Sequence, residues 1–197
     1  MLLSGTKVNF SDLVRRIHAR PVAPLLAIGL GLGAAAVQAD SRLDVALTAA
    51  VGQSEHVRKA GVIVGWDHGQ PLWQGERWRL ALRHEAELAA WRVPRARNLV
   101  ELGYSPVLRL ERPLAAPGAS FFVEGSIGVR LLSHTRLSSE RGLSTAFQFA
   151  DMLGLGWQWG AGGRSTLGLR LQHISNADIK KPNPGINFVQ LYYRHRF

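Results

Sequence analysis

The sequence predicts an all-β chain, an eight-stranded antiparallel transmembrane β-barrel of the outer membrane. Three observations carry this. Beyond Asp40 apolar and polar residues alternate with a period of two in segment after segment, as strands with two different faces require. The segments number eight, an even count that suits a small antiparallel barrel whose lumen is filled by side chains. Several run to ten residues or more; strands of globular sheets average about five or six, whereas roughly nine to eleven cross a bilayer at a tilt.

Taken in order, the candidate strands are 45–52, 57–66, 77–90, 99–111, 120–131, 144–159, 164–175 and 187–197. In 77–90 one parity reads Trp78, Leu80, Leu82, His84, Ala86 and Leu88, the other Arg77, Arg79, Ala81, Arg83, Glu85 and Glu87. A soluble sandwich would bury the first set and expose the second. The same division recurs in 99–111, where Val100, Leu102, Tyr104, Leu108 and Leu110 oppose Glu101, Ser105, Arg109 and Glu111. It recurs again in 120–131, where Phe121, Val123, Ile127, Val129 and Leu131 oppose Glu124, Ser126 and Arg130. The repetition favours apolar faces toward lipid, with the charges neutralising one another inside. Turn chemistry falls between the strands, at Pro71, Pro94-Arg95, 113–118, Gly142, 160–163 and 182–185. Trp66, Trp73, Trp78, Trp91, Trp157, Trp159, Tyr192 and Tyr193 lie near strand ends, where interfacial girdles or ordinary core packing would place them.

Residues 1–39 have the layout of a secretory signal: Arg15, Arg16 and Arg20, an apolar run over 21–37, then Val37-Gln38-Ala39 before Asp40. Gly29, Gly31 and Gly33 interrupt the run, which is short for an uncleaved anchor. Residues 40–197 then form one barrel domain, ending on alternating apolar residues and Phe197, a pattern similar to the one that barrel assembly machinery recognises. There is no cysteine, so no disulfide framework or thiolate chemistry supports an exported fold. The chain has 24 Lys and Arg against 14 Asp and Glu, and the excess persists beyond Ala39. Positive charge suits phosphate-rich partners. Export argues against nucleic acid, and an anionic lipid surface meets the same electrostatic requirement.

Continuing the apolar parity Leu167, Leu169 and Leu171 by twos places His173 and Ser175 on the outward face. An imidazole two residues from a hydroxyl on one strand face, roughly 7 Å away at the backbone, can lean over to take its proton. This is a base and nucleophile arrangement. If the last strand ends on the periplasmic side, the hairpin before it is extracellular. Asn187, on the parity of Val189, Leu191 and Tyr193, then points outward near Ser175 at the outer leaflet, where a lipid acyl ester is at hand. His84-Glu85 is half of a zinc-helix motif, but no second histidine follows at the required spacing and the segment reads as a strand, so no metal site is expected there. Glu85, Glu87, Glu101 and Glu124, on the inner parity, read as lumen ion-pair partners.

The stretch His173-Ile174-Ser175-Asn176-Ala177-Asp178-Ile179-Lys180-Lys181-Pro182-Asn183-Pro184-Gly185-Ile186-Asn187 resembles the active-site hairpin of the PagL family of lipid A 3-O-deacylases. The resemblance is dense over the last fifth of the chain; elsewhere it rests on a barrel of suitable length. It implies an outer-membrane serine esterase that removes the acyl chain at position 3 of lipid A in lipopolysaccharide, with no metal or other cofactor. It also implies Ser175 as nucleophile, His173 as general base, and the Asn176 side chain with a backbone N–H near Asp178 as oxyanion donors. The better-known family pattern has a glutamate where this chain has Asn187, which can orient the imidazole but adds no charge; Asp178 is the alternative third member. Lys180, Lys181, Arg194 and Arg196 are candidates to grip lipid A phosphates. The rival readings are a non-enzymatic small barrel acting as adhesin or scaffold, against which the short loops count, and a barrel acyltransferase. The sequence leaves open whether the barrel forms a homodimer.

Overall fold

A computed structural model describes residues 43–197 apart from Glu55, His68, Arg95, Ser139 and Glu140. The expected signal segment, 1–39, lies outside the described residues. The strands are β1 (Leu43–Gly52), β2 (Arg58–Asp67), β3 (Trp73–Gln74), β4 (Arg79–Arg92), β5 (Leu99–Pro113), β6 (Ser120–Leu132), β7 (Phe147–Trp159), β8 (Ser165–Ser175) and β9 (Ile186–Arg196). Eight of them pair antiparallel in the order β2, β1, β9, β8, β7, β6, β5, β4, and β2 also pairs with β4. The sheet is therefore closed. The two-residue β3 lies outside the barrel wall, folded back on Arg79 and Leu80.

The predicted strands stand with shifts of a few residues. The third, 77–90, begins at Arg79 as β4, because the chain doubles back there and Gly75 N–H bonds the Trp78 carbonyl at 2.9 Å. The sixth, 144–159, begins at Phe147 as β7: Ser144 has φ 61°, which breaks an extended run, and Leu143 is fully buried.

Parity decides the two faces. Leu102, Ile127, Leu153 and Leu171, in mid-strand, are 56%, 71%, 66% and 59% exposed. Such a band of large apolar residues belongs in lipid. The inner parity carries Asp44, Lys59, Arg83, Glu85, Glu87, Glu101, Arg109, Glu124, Arg130, Arg170 and Arg194, all buried. They pair across the lumen. Glu124 accepts from Arg109 at 2.8 Å, Arg170 at 2.7 Å and the Tyr192 hydroxyl at 2.9 Å. Arg194 bridges Asp44 and Glu85, and Arg170 also grips Glu85 with both terminal nitrogens. A second group joins Lys59, Glu87, Glu101 and Arg130. Glu85, Glu87, Glu101 and Glu124 thus occupy the lumen, as the alternation predicts.

Two aromatics grouped with the interfacial girdle belong inside. Trp91 is fully buried, donating Nε1–H to Glu101 at 2.5 Å and meeting Phe188 edge-on. Tyr192 is 1% exposed in the ion network. Both sit on the inner parity of their strands, which overrides closeness to a strand end.

An apolar plug of Trp91, Leu99, Leu132, Leu137, Leu143, Ile174, Ile186 and Phe188 fills one end of the barrel. Ile174, Ile186 and Phe188 alternate with Ser175, His173 and Asn187, so burial of the first set anchors the backbone that carries the second.

Replacing Glu124 by alanine leaves Arg109 and Arg170 short of their shared partner. Removing one member of a buried pair costs about 3–5 kcal/mol, and a urea titration of the micelle-folded barrel is expected to show a loss of that order.

Candidate active site

β8 and β9 run antiparallel with His173 directly opposite Asn187, both side chains exposed on the outer face. His173 Nδ1 lies 2.6 Å from Asn187 Oδ1. An amide oxygen can only accept, so in the neutral imidazole it is Nδ1 that carries the proton and Nε2 that keeps its lone pair. The amide cannot turn freely, because its Nδ2 donates to Gln53 Oε1 at 2.9 Å. Gln53 is itself tied to the same residue, its backbone N–H donating to the Asn187 carbonyl at 2.9 Å. Ser175 is half-buried at the end of β8 on the face that His173 shares, one step past the last β8–β9 pair, Ile174 with Ile186.

The hairpin loop, 176–185, shapes the space around the imidazole. Gly185 has φ 55°, and a Cβ there would lie 2.7 Å from His173 Cε1 and 3.2 Å from Nε2. Glycine is needed on both counts. Connection 133–146 clamps the loop from outside: Arg141 donates to the Gly185 carbonyl at 2.6 Å and Ser144 Oγ to the Pro182 carbonyl at 2.5 Å.

Asn176 departs from expectation. It is fully buried, and its Nδ2 donates to the Lys180 carbonyl at 2.7 Å and the Leu143 carbonyl at 3.3 Å. With both amide protons committed beneath the loop, the side chain acts as a brace, which does not fit the expected oxyanion donor. A β-turn over 176–179 puts Ala177 and Asp178 at φ 51° and 61°, closed by Ile179 N–H on the Asn176 carbonyl. Asp178 accepts from Asn183 Nδ2 at 3.2 Å, whereas the imidazole is held by Asn187. Lys180 and Lys181 are exposed on the loop. Arg194 and Arg196 are not near it: the first is buried with Asp44 and Glu85, and the second pairs with Asp67 at 3.2 Å. His84 and Glu85 face opposite sides of β4, the histidine bonding the Tyr104 hydroxyl at 2.7 Å.

A groove of about 1080 Å³ opens beside the pair, lined by Gln53, Asp151, His173 and Asn187 and by apolar residues such as Ile127 and Leu171. Gln53, Arg141 and Asp151 were not found from the sequence. Gln53 lies in a turn 134 residues from its partner, and Arg141 in a loop; neither position carries a periodic signal. Asp151 could have been found, as an acid on the apolar parity of Leu153, Leu155 and Trp157.

The family model of lipid A 3-O-deacylases (PagL) matches residues 58–196. The lipid A deacylase PagL of Pseudomonas aeruginosa is 31% identical over 171 residues, covering 86% of this chain and 95% of that protein. The lipid A deacylase PagL of Bordetella bronchiseptica is 44% identical over 80 residues. That match spans 41% of this chain and 43% of the Bordetella protein, less than half its length. The crystal structure of the outer membrane enzyme PagL superposes with a TM-score of 0.70 at 26% identity, covering 78% of this chain and 99% of that one.

An Asn176→Ala variant is expected to loosen the hairpin, since two carbonyls lose their donor at about 1 kcal/mol each. Limited trypsin digestion of the folded barrel should then cleave after Lys180 faster than in the parent; unchanged digestion would show that the brace carries no weight.

Proposed function

The chain belongs to the lipid A 3-O-deacylase (PagL) family, and on that premise we propose that it hydrolyses the 3-O-linked acyl ester of lipid A with Ser175 as nucleophile and His173 as general base. The observation that carries this is the 2.6 Å contact of His173 Nδ1 with Asn187 Oδ1, which leaves Nε2 as a base on the strand face that bears Ser175.

In this reading Nε2 takes the Ser175 proton as Oγ attacks the acyl carbonyl. The tetrahedral oxyanion is held by backbone N–H of the 176–179 turn, at Asp178, because the Asn176 amide is committed elsewhere. Collapse breaks the ester bond, and the imidazolium returns its proton to the sugar oxygen. Water, deprotonated by the same Nε2, then attacks the acyl-serine, and as the C–Oγ bond breaks the imidazolium returns the proton to Ser175 Oγ and the fatty acid leaves. Asn187 fixes the tautomer throughout, with Gln53 fixing Asn187.

The bilayer brings the ester to this place. Outer-membrane barrels carry short turns on the periplasmic side and longer loops outside, and the longest connection, 133–146, stands on the rim that bears His173 and Ser175. That rim therefore meets the outer leaflet. The exposed apolar band below it accepts acyl chains, and Lys180 and Lys181 above it meet the phosphates of the headgroup. Residues 1–39 serve as the secretory signal that brings the chain to the assembly machinery.

Mass spectrometry of lipid A from cells expressing the parent is expected to show loss of one hydroxyacyl chain from position 3, and Ser175→Ala is expected to abolish that loss while leaving a heat-modifiable barrel. Retained activity in the variant would exclude the serine mechanism, and a gain of mass would indicate acyl transfer to lipid A. Changing Lys180 and Lys181 together to alanine is expected to raise KM several-fold at low salt, with kcat held and the difference shrinking as salt screens the charges. An unchanged KM would remove the lysines from substrate binding.

A further inference from the structure

Resting on the esterase reading above, we propose that Asp151 is a positioning residue for His173, its carboxylate supplying from β7 the negative charge that Asn187 does not supply from β9. Three observations meet at this residue. Asp151 is directly opposite His173 in the β7–β8 ladder, and directly opposed side chains on one face have Cβ atoms about 5 Å apart. Its side chain is exposed and lines the same groove as His173, Asn187 and Gln53. Among the described residues it is the one acidic side chain on the outward parity of the barrel strands; Asp44, Glu85, Glu87, Glu101, Glu111 and Glu124 are buried on the inner parity.

The outward placement weighs most. The outward neighbours of Asp151 along β7 are Phe149 and Leu153, and across the other ladder it faces Ile127. A carboxylate among such residues is costly on a lipid-facing wall, so a charge kept there marks function. The imidazole becomes cationic each time it takes a proton. Asn187 accepts from Nδ1–H but is neutral, so the flank toward β9 orients the ring without compensating that charge. The flank toward β7 compensates it. His173 is thus held between two neighbours with divided duties, the amide fixing the tautomer and the carboxylate facing the charge that forms on the ring during turnover.

The other groups around the ring do not duplicate this. β9 presents Asn187 and Val189, β8 itself Ser175 and Leu171, and the β1–β2 turn Gln53. Among the described residues of the hairpin loop the charged ones are Asp178, bonded to Asn183, and the exposed Lys180 and Lys181, and connection 133–146 adds Arg136 and Arg141, the latter bonded to the Gly185 carbonyl.

The test is the kinetics of fatty-acid release from purified lipopolysaccharide by four micelle-folded proteins: the parent, Asp151→Asn, Asn187→Glu and the double variant. Removing the carboxylate is expected to lower kcat about tenfold or more with KM within about twofold. In the Asn187→Glu background the same change should cost less than about threefold, since the glutamate then supplies the charge. The barrel should stay heat-modifiable, as the substitution removes a charge from the lipid face. An unchanged kcat in Asp151→Asn would overturn the proposal, and so would an equal loss in both backgrounds, which would mark a structural role. Ser175→Ala run alongside separates the two levels: activity in that variant would overturn the esterase reading itself.

Discussion

Hydrocarbon offers a peptide N–H no acceptor and a carbonyl no donor, so a chain that crosses it as strands must leave no open edge. Here the constraint is met by the pairing of β2 with β4, ten register positions from Arg58 opposite Arg92 to Asp67 opposite Arg83. Closure gives each strand an outside and an inside. The period-two pattern must then match across every ladder, and a slip of one residue would put a row of arginines and glutamates into lipid.

The inside is correspondingly unusual for a protein core. Arg109, Arg170, Arg194, Glu85 and Glu124 are buried, and each finds at least one partner of opposite sign within the lumen. Ion pairs of this kind gain little over a well-packed apolar core, because desolvation offsets their attraction. What they contribute is register. Glu124 on β6 is satisfied only when β5, β8 and β9 bring Arg109, Arg170 and Tyr192 to it together. The apolar plug at the other end works by ordinary packing and holds still the strand ends that carry His173 and Ser175.

The site belongs to the boundary between these regimes. On the outward parity, where Leu167, Leu169 and Leu171 meet lipid, the row changes at His173 and Ser175 to polar side chains. Their surroundings are built from distant parts of the chain: Asn187 and Gln53 on one flank, Asp151 on the other, and the loop 176–185 above, pinned by Arg141 and Ser144. A polar constellation on a lipid-facing wall gives a water-soluble ester little access. It suits a substrate already dissolved in the leaflet, which ties the chemistry of the site to the solvent that shapes the barrel.

Much of this was legible in the residues alone. The eight strands, their two faces, the lumen carboxylates and the outward His173, Ser175 and Asn187 come from a period of two, because in a strand facing is a matter of counting. Where counting stops, so does legibility. Trp91 and Tyr192 look interfacial by closeness to a strand end, although their own parity points inward; what the lumen adds is their partners, Glu101 for the one and Glu124 for the other. Asn176 looks like an oxyanion donor by its place in the motif, yet the fold turns its amide under the loop to carbonyls at Leu143 and Lys180. Gln53 bears no periodic signal and meets Asn187 only because β1 and β9 are neighbours. The sequence by itself determined which face each strand residue takes, since that is written in local alternation. The tertiary structure decided which side chains meet around the imidazole, since that depends on ladder register and loop closure between segments far apart in the chain.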